Sequence, residues 1–427
     1  MNIFDQLLAD NQIPKFVRVR HEMDHSHIDD IEGAVAQAMR REGTLDRIKP
    51  GDSVCITAGS RDVANIARII RAICDQVKSV GAHPFIIPAM GSHAGAKAEG
   101  QRGIIEGYGV TEEAMGAPIR ASMDTEVIAH SKSGLEIHLD KFANAADFLI
   151  PVGRIKAHTD FRGEVESGIC KMLVIGMGKQ HGAYQCHKLG FKSMAANVKE
   201  FAGAIIEKKP NMFAIGLIEN AYHQTCRIEA IPAGRILEEE PPLLEYAKSR
   251  MAKVPFDQAD ILFVDETGKD ISGAGMDPNV TGRSAQNGIS RPFAERIVAR
   301  DLTDEAHHNA TGMGNADVTT RRLFDKIDME QTYPNSLTSR DINGFRIPIV
   351  MENDDLAIRF ALHTITGANA GSGYRAMWIR DTNHVQTFYV TERLLADTAA
   401  MPWLRTDGVA LRPVFGADGY FTGWERA

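Results

Sequence analysis

The stretch VCITAGSRDVANIARIIRAICDQVKSVGAHPFIIPAM, residues 54–90, decides the fold class. It opens with a short apolar run rich in β-forming residues, and apolar residues then recur at helical spacing as far as Gly81. A second apolar run, HPFIIPAM, follows directly at 83–90. A strand, a helix and a second strand in this order are typical of a parallel sheet flanked by helices.

The same alternation continues along the chain and then changes in character. Further elements are predicted as a strand at 147–155, a helix at 193–209 and a strand at 212–219. Residues 233–258 contain an acidic run, a Pro-Pro pair and a helical pattern, which together indicate a connection between domains. We therefore predict an α/β protein of two α/β domains with parallel-type sheets, residues 1–255 and 256–427. The active site is expected in the cleft between them, where the second domain closes over the substrate.

Composition narrows the class of protein. The chain has 427 residues, of which 44% are hydrophobic and 24% charged, and its formal net charge is -8. These values are ordinary for a globular protein. No basic block suggests nucleic acid, and no apolar run approaches the ~18 residues of a membrane span. The N-terminal sequence lacks the apolar region of a secretory signal, so we expect a cytoplasmic protein without nucleic-acid or membrane partners.

The five cysteines show no C-x-x-C pair. In a cytoplasmic chain this pattern predicts free thiols that are mostly buried. The cysteines are Cys55, Cys74, Cys170, Cys186 and Cys226.

Two loops that follow the first predicted strands carry unusual polar residues. Ser60 and Arg61 come after the first strand and before a helix, a setting that suits a carboxylate or phosphate. His93 lies in GSHAGA after the second strand, where glycines let the backbone approach a ligand. In parallel sheets ligands bind outside the carboxyl ends of the strands, so both loops are candidates for one site.

A third loop, after the strand at 147–155, is richer still. It carries His158, then Ser167 and Gly168, then Lys171, and His187 follows sixteen residues after the lysine. Each residue also has an ordinary interpretation: a surface arginine, a hydrogen-bonded histidine, or a lysine whose stem covers apolar surface. Zinc-ligand spacing and the GxGxxG fingerprint are both absent. The residues alone thus indicate an α/β enzyme with acid/base histidines.

In this order and spacing the motifs resemble the nickel-dependent lactate racemase family. Arg61 matches the arginine of its first loop, and His93 in MGSHAGA matches the histidine of its second. His158 with SGICK, which contains Lys171, matches the third loop, and His187 falls at the family's sixteen-residue spacing. The resemblance covers roughly residues 10–250 and continues more loosely beyond.

The resemblance implies a cofactor and a role for each residue. The cofactor is a nickel-pincer nucleotide, pyridinium-3,5-bisthiocarboxylic acid mononucleotide nickel, held covalently on Lys171 with His187 as nickel ligand. Ser167 and Gly168 beside the lysine, and Ser60 and Arg61 in the first loop, would bind this cofactor, and Arg61 could instead anchor a carboxylate. His93 and His158 would be the acid/base pair of a racemase that moves hydride between Cα of a 2-hydroxy acid and the cofactor. Two bases suit racemisation because each face of the substrate needs one. The expected partners are a small 2-hydroxy acid and the proteins that make the cofactor.

Departures from the family pattern point to a different substrate pocket. The segment TDFRGEVE, residues 159–166, lengthens the chain between His158 and Lys171. Ala58 stands where an aspartate is expected, and Gly275 and Pro278 stand where the family has a glutamine and a lysine. Because these contacts change, we expect a 2-hydroxy acid larger or more polar than lactate, such as a sugar acid. The extra polar residues of segment 159–166 fit such a substrate; they are Asp160, Arg162, Glu164 and Glu166. In the second domain the candidate substrate-binding residues are Lys269, Asn279 and Arg283.

Two other functions remain open from the sequence. The same histidines could bind zinc or iron directly in a hydrolase or lyase, with Lys171 unmodified. A non-catalytic sensor of hydroxy acids is the third hypothesis, although a sensor needs no pair of acid/base groups. Oligomeric state and stereochemical preference are not encoded in any motif.

Overall fold

The computed structural model describes residues 3–59, 63–286, 288–366 and 373–427. The chain forms two compact units. The first, called here the N-terminal unit, is Asp24–Met251, and the second, the C-terminal unit, combines Met1–Met23 with Ala252–Ala427. The predicted division at residue 255 assigned the first 23 residues to the N-terminal domain. In the structure they belong to the C-terminal unit.

Nineteen strands are present in the described chain. They are β1 (Phe16–His21), β2 (Ser53–Ala58), β3 (His83–Pro88), β4 (Thr125–His130), β5 (Glu136–Asp140), β6 (Phe148–Ile150), β7 (Val152–Arg154), β8 (Phe213–Glu219), β9 (Thr225–Pro232), β10 (Gln258–Thr267), β11 (Arg283–Ser284), β12 (Gly288–Ile289), β13 (Phe293–Leu302), β14 (Val318–Thr320), β15 (Ile349–Met351), β16 (Ala376–Ile379), β17 (Thr387–Thr391), β18 (Leu404–Phe415) and β19 (Phe421–Arg426).

The α-helices of the described chain follow in the same order. They are α1 (Ile3–Leu7), α2 (Ile31–Arg40), α3 (Ile66–Ser79), α4 (His93–Ala96), α5 (Ala98–Gly107), α6 (Glu112–Met115), α7 (Lys141–Ala145), α8 (Ile169–Lys171), α9 (Lys179–His187), α10 (Met194–Lys208), α11 (Ile236–Arg250), α12 (Pro278–Thr281), α13 (Arg321–Asp325), α14 (Met329–Ser339), α15 (Asp354–His363) and α16 (Glu392–Leu395). A π-helical turn, Met172–Gly176, follows α8 directly.

In the N-terminal unit the parallel strands order as β3-β2-β6, and β8 pairs with β7 in parallel and with β9 antiparallel. The long strand predicted at 147–155 is two strands, because Pro151 interrupts it and cannot donate a ladder hydrogen bond. Helix α3 buries residues at helical spacing, among them Ile66, Ile69, Ile70, Ile73 and Val77. The strand-helix-strand prediction for residues 54–90 is confirmed.

In the C-terminal unit a nine-stranded sheet has the order β15-β14-β13-β10-β16-β17-β1-β18-β19. Pairing is parallel from β15 to β16 and antiparallel from β16 to β19. The α/β class is confirmed, and this sheet is mixed. The N-terminal arm contributes β1, which lies between β17 and β18 because Phe16, Val17 and Val19 bury their side chains.

Two further observations bear on the class of protein. The five cysteines are free, and four of them are buried, as predicted. No helix in the described part of the chain is long and apolar enough to cross a membrane. The cytoplasmic location stays a prediction.

Candidate active site

The candidate site lies where β2, β3 and β7 of the N-terminal unit end. The π-helical turn Met172–Gly176 packs against the first two of these ends. A methyl group on Gly59 would lie 3.4 Å from Met172 Cε, and one on Gly91 would lie 3.2 Å from Ile175 Cγ2. Gly91 also has φ +61°, a conformation that favours glycine. Gly59 and Gly91, which begin the loops after β2 and β3, thus pack against the segment that follows Lys171. Ser60 and Arg61 lie outside the described residues.

Lys171 and His158 are in direct contact. The distance from Lys171 Nζ to His158 Nε2 is 2.8 Å, although thirteen residues separate the two along the chain. Between them the chain closes a loop, because Lys156 and Ser167 exchange backbone hydrogen bonds of 3.0 and 3.2 Å. The two residues that the sequence placed in one loop therefore form one side-chain pair.

The segment 159–166 fixes the His158 imidazole from several sides. The backbone N–H of Asp160 donates to His158 Nδ1 at 2.9 Å, and the Phe161 ring stacks on the imidazole with centroids 4.1 Å apart. Glu166, which is fully buried, accepts the backbone N–H of His158 at 2.7 Å. Arg162 donates to the carbonyl oxygen of His158. This extra segment, first interpreted as additional polarity for substrate, holds the histidine.

Helix α11 supports both members of the pair. Glu240 accepts the backbone N–H of Cys170 at 2.8 Å, at the start of the turn that carries Lys171. Lys248, two turns further on, lies 3.1 Å from Glu166 and so neutralises the carboxylate that holds His158. Burial raises the pKa of Glu240, and the backbone donors oppose that effect. Residues 233–258 were predicted as a connection between domains with a helical pattern; they contain helix α11, which in addition supports the site.

Gly168 has a steric reason to be glycine. A methyl group there would lie 2.0 Å from Glu240 Oε1 and 3.3 Å from Ile155 Cγ1. The Ser-Gly of the motif therefore lets a buried carboxylate approach the backbone closely. Contact of Gly168 and Ser167 with a cofactor stays a prediction.

His187 is oriented as a metal ligand would be. Its Nδ1 lies 2.6 Å from the carbonyl oxygen of Ala183, and a carbonyl only accepts, so Nδ1 carries the proton. The neutral ring then has its lone pair on Nε2. A ligating histidine usually donates its other N–H in this way, which fixes tautomer and ring orientation. His187 therefore fits the nickel-ligand role implied by the resemblance.

His93 begins the short helix α4, whose next residues Ala94, Gly95 and Ala96 all have positive φ. Gln101 Nε2 donates to the carbonyl oxygens of Gly91 at 2.8 Å and of His93 at 3.2 Å, which fixes the loop. The His93 side chain is partly exposed. Its acid/base role stays a prediction.

The buried pair Lys179 and Asp140 anchors the end of β3. Both side chains are fully buried, and Lys179 Nζ lies 3.2 Å from Asp140 Oδ2. Lys179 also donates to the carbonyl oxygen of Pro88, the last residue of β3. Burial lowers the pKa of Lys179 and raises that of Asp140, and each charge opposes the shift of the other. A buried ion pair at this place holds the start of the His93 loop.

A second carboxylate holds the loop that follows β2. Glu219 Oε1 accepts the backbone N–H of Ala64 at 2.8 Å, and Glu219 Oε2 lies 2.6 Å from Arg154 Nη1. Burial raises the pKa of Glu219, but the Arg154 charge and the hydrogen bonds outweigh it, and the net pKa is lowered. The carboxylate is thus ionised where β7 and β8 end.

The two cysteines beside the motif residues are not nucleophiles. Burial raises the pKa of Cys186 to about 12, and burial together with the Glu240 carboxylate raises that of Cys170 further. A thiol reacts as its thiolate, so neither group is available at neutral pH.

The second-domain candidates have structural partners within the C-terminal unit. Arg283 donates to Asp317 and, at 2.8 Å, to the carbonyl oxygen of Ala294. Asn279 donates to Asp277 Oδ1 at 2.7 Å, and Lys269 donates to Asn335. Their substrate-binding roles stay predictions.

Sequence analysis missed Glu240 and Lys179 as residues that position the site. Glu240 ends the run EEE before Pro241, and nothing in that run marks the third glutamate as buried. Lys179 follows Gly178 in GMGKQH, and nothing in that stretch marks the lysine as buried. Within the described residues no three His, Cys, Asp or Glu side chains converge as metal ligands.

Comparison with known proteins defines the class for the first half of the chain. Residues 4–198 match the family model described as the lactate racemase N-terminal domain. This range contains His93, His158, Lys171 and His187. The predicted resemblance to the lactate racemase family is therefore confirmed over these residues, and the chain carries a lactate racemase-like N-terminal domain.

Among solved structures, the chain is similar to the lactate racemase apoprotein from Thermoanaerobacterium thermosaccharolyticum. Sequence identity is 15% and the TM-score is 0.44, over 67% of this chain and 74% of that chain. Comparison with curated proteins gave no match.

Proposed function

We propose that the protein is a nickel-dependent racemase or epimerase of a 2-hydroxy acid. The observation that carries the proposal is the 2.8 Å contact between Lys171 Nζ and His158 Nε2, inside the domain that matches lactate racemase. An amine beside an imidazole at strand ends is suited to hold a covalent cofactor next to a group that transfers protons.

The donor set fits a nickel-pincer nucleotide. Lys171 supplies an amine for the covalent link, and His187 presents Nε2 as an imidazole ligand because Nδ1 is bound to Ala183. Nitrogen and sulfur donors in a square plane suit nickel. When bound, the nucleotide would supply the acceptor for hydride from Cα of the substrate. Ser60, Arg61, Ser167 and Gly168 remain the proposed contacts of its other parts.

His158 and His93 would move the proton of the substrate hydroxyl. An ordinary imidazole has a pKa of about 6.5, so it exchanges protons readily near neutral pH. His158 is held rigidly by Asp160, Phe161 and Glu166, which fixes the direction of its Nε2. A fixed direction favours transfer because a general base must lie within hydrogen-bond reach of its proton.

The substrate class is proposed as a 2-hydroxy acid larger or more polar than lactate. Support comes from Gly275 and Pro278, which stand where the resemblance implies a glutamine and a lysine facing the substrate. Polar residues of segment 159–166 give less support than the sequence suggested, since Arg162 and Glu166 contact His158.

The test is intact mass and nickel content of protein produced together with the cofactor-making enzymes. We expect a mass increase on the peptide that contains Lys171, with about one nickel per chain. Lys171→Arg should lose both the mass increase and the nickel, and Lys132→Arg, which changes an exposed lysine of the same unit, should keep them. A loaded sample would then be screened for epimerisation of 2-hydroxy acids of increasing size.

An unmodified Lys171 with bound zinc or iron would overturn the proposal in favour of the hydrolase or lyase. Neither metal nor adduct, in a host that loads a known racemase, would favour the sensor. A loaded protein that inverts the Cα configuration of none of the tested 2-hydroxy acids would refute the reaction while leaving the cofactor assignment intact.

A further inference from the structure

Both ring nitrogens of His158 are engaged, and the two contacts together determine where its proton is. The backbone N–H of Asp160 points at Nδ1 from 2.9 Å, so Nδ1 must act as an acceptor and carries no proton. A neutral imidazole has one N–H and one lone pair. Its proton is therefore on Nε2, the atom that lies 2.8 Å from Lys171 Nζ.

An Nε2–H group in this contact needs an acceptor on the lysine. An ammonium has three N–H donors and no lone pair, whereas an uncharged amine accepts. A charged Lys171 would require a ring without any proton, or a ring that gives up the Asp160 hydrogen bond. We propose that His158 holds Lys171 as an uncharged amine, the nucleophilic form, ready for acylation. His158 is a positioning residue in this step.

The tautomer is imposed by the segment 159–166. Asp160 supplies the N–H, and Phe161 stacked at 4.1 Å opposes rotation of the ring. Glu166 fixes the backbone of His158, and Lys248 on α11 in turn fixes Glu166. The tautomer of His158 therefore depends on segment 159–166, the same segment that lengthens this chain relative to the family spacing.

Several charged groups around the pair have partners of their own. The Asp160 carboxylate lies 4.0 Å from His158 Nδ1, but the Asp160 N–H occupies that nitrogen. The Glu166 carboxylate faces both Arg162 and Lys248, which neutralise it. From the other packed elements, α11 contributes Glu240, which is bound to the backbone before Lys171, and α10 contributes Lys199, which pairs with Glu164. Helix α9 contributes His187 and the neutral thiol of Cys186.

The acylation step balances without a further reactant. The Nζ lone pair forms a bond to the acyl carbon, the donor's leaving group departs with its bonding electrons, and one amine proton passes to water. An ordinary lysine, with a pKa of about 10.4, is ~99.9% ammonium at pH 7 and must first lose a proton. The inference rests on the proposed function only for the natural acyl donor, which would be the cofactor.

The experiment uses the full chain, produced without the cofactor-making enzymes, and the acetyl ester of N-hydroxysuccinimide as probe. Acetylation rates of individual lysines are measured by peptide mass spectrometry between pH 6 and pH 10. Lys132, exposed on the same unit, is the internal reference. The acetylation rate of an ordinary exposed lysine rises about tenfold per pH unit near neutral pH, and we expect the reference to show this slope. We expect the Lys171 rate to change less than about threefold from pH 7 to pH 9. Parallel profiles would overturn the inference.

Two variants test whether His158 itself, and not its surroundings, causes the flat Lys171 profile. In His158→Gln the amide oxygen accepts from an ammonium, so Lys171 should regain the steep profile of Lys132. His181→Gln removes an exposed histidine of the same unit that contacts Thr125, and should keep the flat profile. A flat profile in His158→Gln would refute the role of His158. Thermal unfolding checks the fold of each variant, and if His158→Gln is unfolded the wild-type profile alone decides.

The outcome is independent of the proposed reaction. The probe needs neither nickel nor a hydroxy acid, so a flat Lys171 profile can stand beside an absence of racemase activity. Conversely, a loaded and active enzyme with a steep apoprotein profile would leave the reaction intact and refute only the uncharged amine.

Discussion

At the scale of single residues, the site depends on side chains that never need to touch a substrate. Glu240 and Glu166 use their carboxylates on backbone N–H groups beside Lys171 and His158. A hydrogen bond to a charged acceptor contributes more than a neutral one, and a buried donor left unpaired costs free energy. These carboxylates therefore fix the two reactive side chains through the backbone.

Gly168→Ala should destabilise the protein by about 1–3 kcal/mol, because the new methyl group would displace Glu240 from its backbone donors. Urea unfolding measures the change in free energy. Gly103→Ala is the matched control, since a methyl group there, within α5, meets no atom within 4 Å. That substitution should stabilise by about 0.5–1 kcal/mol. Combining Gly168→Ala with Glu240→Ala should cost less than the sum of the single changes, and strict additivity would contradict the proposed displacement.

Glu219→Gln should lower stability at neutral pH, by roughly 3 kcal/mol, because Arg154 loses its buried partner. The folded-state pKa of Glu219 is lowered, so its contribution is present above the unfolded-state pKa of about 4.3 and disappears as pH falls. The difference between wild type and variant should thus shrink below about pH 4. Urea unfolding at a series of pH values tests this, with exposed Glu207→Gln as control. A constant difference down to about pH 3 would be inconsistent with it.

At the scale of elements, β1 and α11 have larger roles than their sequences suggested. Strand β1 pairs on both edges, with β17 and β18, and so joins β17 to the C-terminal hairpin of β18 and β19. Helix α11 continues through Pro241 and Pro242, which remove two backbone N–H donors from its interior, and it carries Glu240 and Lys248 toward the site. Both elements act through contacts with chain far away in sequence.

Phe16→Ala should cost about 3–5 kcal/mol, because the ring is fully buried in β1 among Trp378 and Trp424. Its centroid lies 5.8 Å from Trp378 and 5.4 Å from Trp424, so tryptophan emission should also change. Chemical unfolding followed by fluorescence measures both effects. Phe4→Ala in α1, where the side chain is 38% exposed, should change little. Equal effects of the two substitutions would argue against a buried β1.

At the scale of the whole molecule, the chain consists of two units with separate hydrophobic cores. Asp24–Met251 is continuous in sequence, whereas the other unit needs both ends of the chain. The candidate residues His93, His158, Lys171 and His187 all belong to the continuous unit. The site can therefore be studied in a fragment only if the cut follows these bounds.

A fragment of residues 24–251 should fold with a cooperative thermal transition, because its core is complete without residues 1–23. A fragment of residues 252–427 should not, because its sheet lacks β1 between β17 and β18. Circular dichroism and limited proteolysis measure both. Adding residues 1–23 as a synthetic peptide should restore protection of the second fragment. Cooperative folding of 252–427 alone would contradict the central role of β1.

The sequence by itself determined the α/β class, the strand-helix-strand of residues 54–90, and the loops that carry His93, His158, Lys171 and His187. Apolar periodicity reports local structure, and strand ends mark the edge where ligands bind, so these features can be read without a fold. Only the tertiary structure decided that His158 contacts Lys171, that Glu240 is buried against Gly168, and that the N-terminal arm is an inner strand. Those features depend on contacts between distant segments, and a charged residue looks the same in sequence whether it is solvated or buried with a partner.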